Sequence, residues 1–275
     1  MIAIVTDSNS QAPPSLVERF QLTVVPLTVT VDGRDYLEGV DLDADEFYAR
    51  FERGVPSVTT AQPSPGQFAD AYRALAAAGA EEILSVHIGS NVSGTVNSAR
   101  LGAATAEIGV RIVDTGTASF AVTLCTWAAA EAAARGASLE EAAEAAERTA
   151  KSVGNVFAVR TLDLARAGGR LAPDASEDQS IPVLTIVDGV MHVLGRALDL
   201  EEVADVVADH VRGAGDELRV GIGVADAAVI PFWDLVEQRL AGAPQVAQLL
   251  RYCVGPSVGA HTGPGTVGAM YAAFG

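Results

Sequence analysis

The sequence predicts an α/β fold of two domains, a largely parallel sheet domain followed by a smaller mixed α/β domain. Three observations carry this. Short apolar runs rich in Val, Ile and Leu alternate with helical patterns through the first half of the chain, as βαβ units require. A hairpin signal, Asp188-Gly189 between two apolar runs, interrupts that alternation in the second half. The chain of 275 residues is long enough for one large core or two smaller ones. A change of character near Gly154 places the expected division at residues 1–153 and 154–275, with a ligand site expected at their interface.

The elements follow in order. Ile2 to Val5 reads as a buried strand that ends in the polar Thr6-Asp7-Ser8. Pro13-Pro14 opens a short helix with Leu16, Val17 and Phe20 on its apolar side. Leu22 to Val31 reads as extended, and Asp32-Gly33 as a hairpin turn. Asp43 to Phe51 looks helical. Ser64 caps a helix from Pro65 to Ala78. Ile83 to Ile88 is a strand, Thr95 to about Glu107 a helix, and Val110 to Val113 a strand. Two Ala-rich helices follow, Phe120 to Ala134 and Leu139 to Ser152, the second capped by Ser138. Beyond Gly154 come a strand at Val156 to Thr161, a short helix, a loop at Ala172 to Ser180, and a hairpin of Val183 to Val187 and Val190 to Leu194. Then follow helix Glu201 to Arg212, strand Arg219 to Val224, helix Ile230 to Leu240, strand Gln248 to Val254, a Gly-rich loop and strand Gly265 to Phe274.

Composition narrows the partners. The formal charge is 18 − 35 = −17, which repels phosphate backbones and anionic headgroups, so nucleic acid is not an expected partner. An anionic ligand would need local donors to overcome that field. Aromatics are only 5% of residues, so a large apolar cavity would be lined by Val, Leu, Ile and Ala. Cys125 and Cys253 lie far apart, in apolar surroundings and in no metal-ligand spacing, and read as buried small hydrophobes. Asp7 comes too early for a signal peptide, and the uncharged run Gly116 to Ala130 is too short for a bilayer. Cytoplasmic is the simple expectation.

Three polar loops stand out: Thr59–Ser64, Gly89–Ser98 and Gly255–Gly268. The second sits where a strand enters a helix, and its hydroxyls and N–H groups suit an anion. Plain capping by Ser93 with Gly94 as turn residue is the simpler local reading. Gly89…Gly94 imitates a phosphate loop but has Thr95 where Lys belongs, and Gly221-Ile222-Gly223 lacks the third glycine of a dinucleotide site. His261, crowded by glycines, reads either as a structural hydrogen-bonder or as a partner for a carboxylate. His87, His192 and His210 read as structural or solvent-facing. Arg170 and Arg196 each read as a local structural cation or as one aimed at a ligand.

Taken together, Thr6-Asp7-Ser8, Thr60-Ala61-Gln62-Pro63-Ser64, Val92-Ser93-Gly94-Thr95, Gly168-Gly169-Arg170, Asp188-Gly189…Arg196 and Gly255-Pro256…His261-Thr262-Gly263-Pro264-Gly265 resemble the DegV family, in order over essentially the whole chain. The resemblance implies a two-domain DegV-like architecture and a bacterial carrier that buries a long-chain fatty acid such as palmitate. The carrier would present the carboxylate to a separate fatty acid kinase, which makes the acyl phosphate. It would itself be no enzyme, hold no cofactor or metal, and touch a membrane only transiently. By motif, Thr60, Ser93 and His261 would contact the carboxylate, with the Gly94 N–H as a donor. Arg170 and Arg196 match arginines near the pocket mouth, where the kinase docks. Two departures stand out. Ala61 replaces the usual serine, and the segment between Arg170 and Pro182 is short and acidic, with Ile181 where Lys is common.

Two other classes compete. A serine hydrolase on acyl substrates would use Ser93 as nucleophile, His261 as base and Asp7 as orienting acid, but Ser93 lacks the Gly-x-Ser-x-Gly elbow. A lipid-sensing module without a transfer role is the third reading.

Overall fold

The computed structural model describes residues 1–160, 180–187 and 190–273. The chain divides into two compact units, Met1–Asp41 with Thr59–Ser152, and Leu42–Val58 with Val153–Gly275.

The first unit is built on four parallel strands, β1 (Ile2–Asp7), β2 (Thr23–Val25), β6 (Glu82–His87) and β7 (Gly109–Asp114), in the order β2-β1-β6-β7. Helix α1 (Pro14–Phe20) makes the crossover from β1 to β2, with Pro14 at its first turn where no N–H is needed. Helices α3 (Pro65–Ala77) and α4 (Thr95–Ala103) pack on one face. There Val5 and Ile83 join Phe68, Tyr72 and Ala99 in a single core. Side chains alternate along a strand, so Asp7, Ser85 and His87 point to that same face. Helix α5 (Phe120–Ala134) is buried on nearly every side, and α6 (Leu139–Ser152) packs along it as a second layer. Ser138 begins α6 as expected: its hydroxyl accepts from the Glu141 N–H, while the Glu141 carboxylate accepts from the Ser138 N–H.

A small sheet of three strands, β3 (Thr28–Val31), β4 (Arg34–Leu37) and β5 (Val58–Ala61), lies in the order β4-β3-β5, with β3 and β4 antiparallel. Its hairpin turns at Asp32 and Gly33, both at positive φ (49° and 81°), the mirror-image turn that matches strand twist. The stretch Leu22 to Val31, expected as one extended run, is split between two sheets. Pro26 is the reason, because it has no N–H to continue a ladder, and its free carbonyl accepts instead from Gln67 Nε2 at 3.3 Å.

The second unit carries six strands, β8 (Gly154–Ala158), β9 (Ile181–Val187), β10 (Val190–Ala197), β11 (Leu218–Val224), β12 (Val246–Cys253) and β13 (Val267–Ala273), in the order β10-β9-β8-β13-β11-β12. Only β11 and β12 pair in parallel; the other neighbours are antiparallel, which makes the sheet mixed as expected. β9 and β10 form the anticipated hairpin, while its turn at Asp188-Gly189 lies outside the described residues. Helices α7 (Leu200–Arg212) and α8 (Pro231–Leu240) supply Val203, Val207, Val211, Phe232 and Val236 to the core. Helix α2 (Ala44–Ala49) belongs here too, and its Tyr48 donates to the Val254 carbonyl at 2.9 Å.

Three further expectations change. Thr59 to Ala61, read as part of a loop, ends strand β5. The Gly-rich stretch after Gly255, read as loop, contains helix α9 (Pro256–Thr262), whose Pro256 stands at the first helical position. Cys125 is buried, and burial pushes its thiol up to about 12, but Cys253 is exposed. The cause is topology: β12 is an edge strand, so part of its length faces outward.

His210 on α7 meets the Tyr271 hydroxyl at 2.9 Å, and burial holds its imidazole below the ordinary histidine range. The unfolded chain therefore takes up this proton first as pH falls. Its stabilising contribution is complete above the ordinary histidine pKa of about 6.5 and is lost as pH drops below it. Unfolding free energy measured in urea is expected to fall between pH 7 and pH 5, and to fall less in His210→Gln.

Candidate functional site

The order β2-β1-β6-β7 reverses direction between β1 and β6. In open parallel sheets that reversal leaves a crevice at the carboxyl ends of the strands, because the two following loops turn away from each other. Here the crevice is bounded by Ser8–Ser10 after β1 and by Ile88–Gly94 after β6.

Its floor is a buried polar chain. Asp7, the last residue of β1, and His87, the last of β6, are fully buried. The Asp7 carboxylate accepts from His87 Nδ1 at 2.9 Å, the Ile88 N–H at 3.0 Å and the Asn9 N–H at 3.1 Å. His87 Nε2 stands 2.6 Å from Ser85 Oγ, which stands 2.9 Å from the Tyr72 hydroxyl. Burial pushes the Tyr72 phenol up to about 12, so it keeps its proton and is able to donate. The tautomer follows. With Nδ1–H directed at Asp7, Nε2 accepts from Ser85, whose oxygen accepts from Tyr72. The Phe68 ring packs against the imidazole nearly at right angles, with centroids 5.0 Å apart.

Asn9 extends the network to α5. Its side-chain oxygen accepts from the Ser119 N–H at 2.9 Å. Ser119 is buried at φ 61°, ψ −151°, a conformation that costs roughly 1–3 kcal/mol for a residue other than glycine. Nearby in the chain, the hydroxyls of Thr6 and Ser10 are buried without a hydrogen-bond partner among the described residues.

The Ser93 loop hangs from this floor. The Val92 and Ser93 N–H groups both donate to the Gly89 carbonyl, at 2.9 and 3.0 Å. The Gly89 N–H donates to Thr117 O at 2.7 Å, and a Cβ at residue 89 would fall 2.6 Å from the Gly116 backbone. Ser90 and Gly116 N–H groups both donate to Asp114 Oδ1. Burial alone would raise the Asp114 carboxyl, but these bonds and the Arg100 charge hold it below the usual carboxylate range. The helix cap proper is Gly94, without a side-chain cap bond, rather than Ser93. Ser93 Oγ lies 2.9 Å from Thr95 Oγ1 and accepts weakly from the Thr95 N–H at 3.3 Å. Ser93 is partly buried and Gly94 exposed.

Thr60 arrives from β5, partly buried, at the start of the loop into α3. Ser64 and Gln67 close a capping box on that helix, which fixes where the loop ends. Between them, the Gln62 amide packs on Gly94, where a Cβ would lie only 3.0 Å from Gln62 Nε2. The first unit thus brings the Thr60 and Ser93–Gly94 loops against each other.

The remaining expected residues are elsewhere. His261 stands on the last turn of α9 in the second unit, partly buried. Arg196 is on β10, an edge strand, with Nη1 3.3 Å from Ser180 Oγ. Arg170 and the short acidic segment lie outside the described residues up to Ser180. His192 faces solvent, while His87 is wholly buried. Among the described residues no cluster of His, Cys, Asp or Glu could hold a metal ion, and no helix is long and apolar enough to cross a membrane. Asp7→Ala leaves three buried donors unpaired, at about 1–3 kcal/mol each. The expected loss in urea-unfolding free energy is therefore roughly 3 kcal/mol or more.

The whole-chain comparisons agree with this architecture. The family model described as "Uncharacterised protein, DegV family" matches residues 1–273. A DegV domain-containing protein of Streptomyces coelicolor is 35% identical, over 98% of this chain and 97% of that one. A DegV family protein of Thermus thermophilus, solved for its fatty acid binding, superposes with a TM-score of 0.88 at 32% identity, covering 99% of each chain. DegV of Bacillus subtilis, described as a fatty acid binding protein, superposes at 0.85 with 25% identity, again over 99% of each. With a family model that spans nearly its full length and relatives that match from end to end, the chain belongs to the DegV family.

Proposed function

We propose that this chain is a fatty-acid-binding carrier that buries a long-chain fatty acid and presents its carboxylate to a partner fatty acid kinase. The observation that carries the reading is the packing of the Gln62 amide on Gly94, which joins the Thr60 and Ser93 loops beside the sheet's reversal point. The full-length likeness to the Thermus fatty acid binder supports the choice of ligand. In this reading Thr60 and Ser93 hydroxyls, the Gly94 N–H and the His261 imidazole hold the carboxylate. Arg170 and Arg196 serve the pocket mouth and the docking of the kinase.

Magnitudes separate the roles. A buried CH₂ contributes ~0.8 kcal/mol, so a tail of roughly fifteen methylenes offers about 12 kcal/mol before ordering costs. A hydrogen bond to a charged acceptor contributes about 1.5–3 kcal/mol. The tail supplies most of the affinity, and the polar groups set register in a protein whose net charge of −17 opposes any anion. The hydrolase alternative finds little support, since the acid it needs, Asp7, is fully buried and is paired with His87 rather than with His261.

Mass spectrometry of lipid extracted from natively purified protein is expected to show a long-chain fatty acid. Ser93→Ala is expected to bind palmitate roughly ten- to hundredfold more weakly, as one charge-assisted bond is worth, with the tail still held. Wild-type affinity and wild-type acyl phosphate formation in Ser93→Ala would overturn the headgroup assignment.

A further inference from the structure

The buried pair at the sheet's reversal point is tied, bond by bond, to the loop above it. Tyr72, Ser85, His87 and Asp7 form a continuous hydrogen-bonded chain. Asp7 then takes the Ile88 N–H, and the next three links are local: the Gly89 N–H to Thr117 O, and the Val92 and Ser93 N–H groups to Gly89 O. The His87 carbonyl is held as well, by the Thr115 hydroxyl at 2.8 Å and the Thr115 N–H at 3.2 Å. Three consecutive residues, 87 to 89, are therefore anchored to β1 and to the loop after β7, and Ser93 hangs from the third.

We infer that Asp7 and His87 are positioning residues for the anion-binding loop, and that the Nδ1–H tautomer of His87 sets where the Ser93 and Gly94 groups point. The order of groups resembles a serine-protease triad, but Ser85, His87 and Asp7 are all sealed in the core. A sealed chain transmits geometry and performs no chemistry on a ligand. The carboxylate Oδ2 that receives His87 also receives Ile88, so a change in the ring's bond to Asp7 is felt one residue from the loop. This rests on the reading that Ser93 and Gly94 hold a fatty acid carboxylate, and it assigns to that site a support that reaches through the core to α3.

Two variants of similar size separate the ring's two bonds. His87→Asn keeps an N–H near the Nδ1 position, facing Asp7, and gives up Ser85. His87→Gln reaches toward Ser85 and gives up Asp7. Both lower the unfolding temperature of the full-length chain. Only His87→Gln is expected to speed amide exchange at Val92 and Ser93, and to weaken palmitate binding, by about tenfold or more, as the loss of a bond to a charged group implies. Equal effects of the two variants on the loop would reduce the pair to a purely structural role and overturn the inference. Unaltered protein gives a second test that needs no variant to fold. The Ile88, Val92 and Ser93 amides are expected to exchange through one common opening, with the same dependence on urea. Exchange of Ser93 independent of Ile88 would overturn the inference. A wild-type chain that binds no palmitate would remove the carboxylate reading, and the exchange data would still decide the positioning role.

Discussion

A carboxylate placed wholly out of water must be met by donors, and the Asp7 carboxylate is met by three from two different parts of the chain. That requirement fixes more than one side chain. It joins the end of β1 to the end of β6, the two strands between which the parallel sheet changes direction. It also turns the chain after β1 through Asn9 toward Ser119, where the start of α5 holds a strained backbone. Strain of this kind persists only where the surroundings overdetermine it, and here the constraint is a side-chain amide supplied by the same turn.

The fold was legible in the sequence wherever local chemistry is one-valued. Asp32-Gly33 can turn a tight hairpin because both positions accept positive φ, and the structure uses them so. Ser64 with Gln67 and Ser138 with Glu141 are reciprocal caps, and a spacing of three residues is enough to recognise them. Less legible were features that depend on tertiary placement. Cys253 has apolar sequence neighbours, yet its exposure follows from β12 being at a sheet edge, which only strand order reveals. Helix α9 was hidden by Gly259 inside it, which local propensity counts against a helix, and by the glycines that cap both ends.

The site divided along the same line. Thr60, Ser93 and Gly94 were visible as members of polar segments between a strand and a helix, and the structure sets those segments together through Gln62. Gln62 itself carried no functional signal, being one amide in a motif whose hydroxyls attracted notice. His87 was harder still. A histidine at the end of an apolar run announces burial but not its partner, and Asp7 lies 80 positions away. Pairings across that separation leave no trace in local spacing, whereas the turn chemistry of Asp7 with Asn9 does.

The short segment Leu42–Val58 has a consequence for how the protein can be taken apart. It leaves the first unit after β4 and re-enters it at β5, so three peptide links, not one, join the two units. A fragment cut at Val153 would lack α2 and with it Tyr48, whose hydroxyl satisfies the buried Val254 carbonyl just ahead of the helix that carries His261. The half of the protein that bears His261 is thus a discontinuous unit, and it has no contiguous gene fragment of its own.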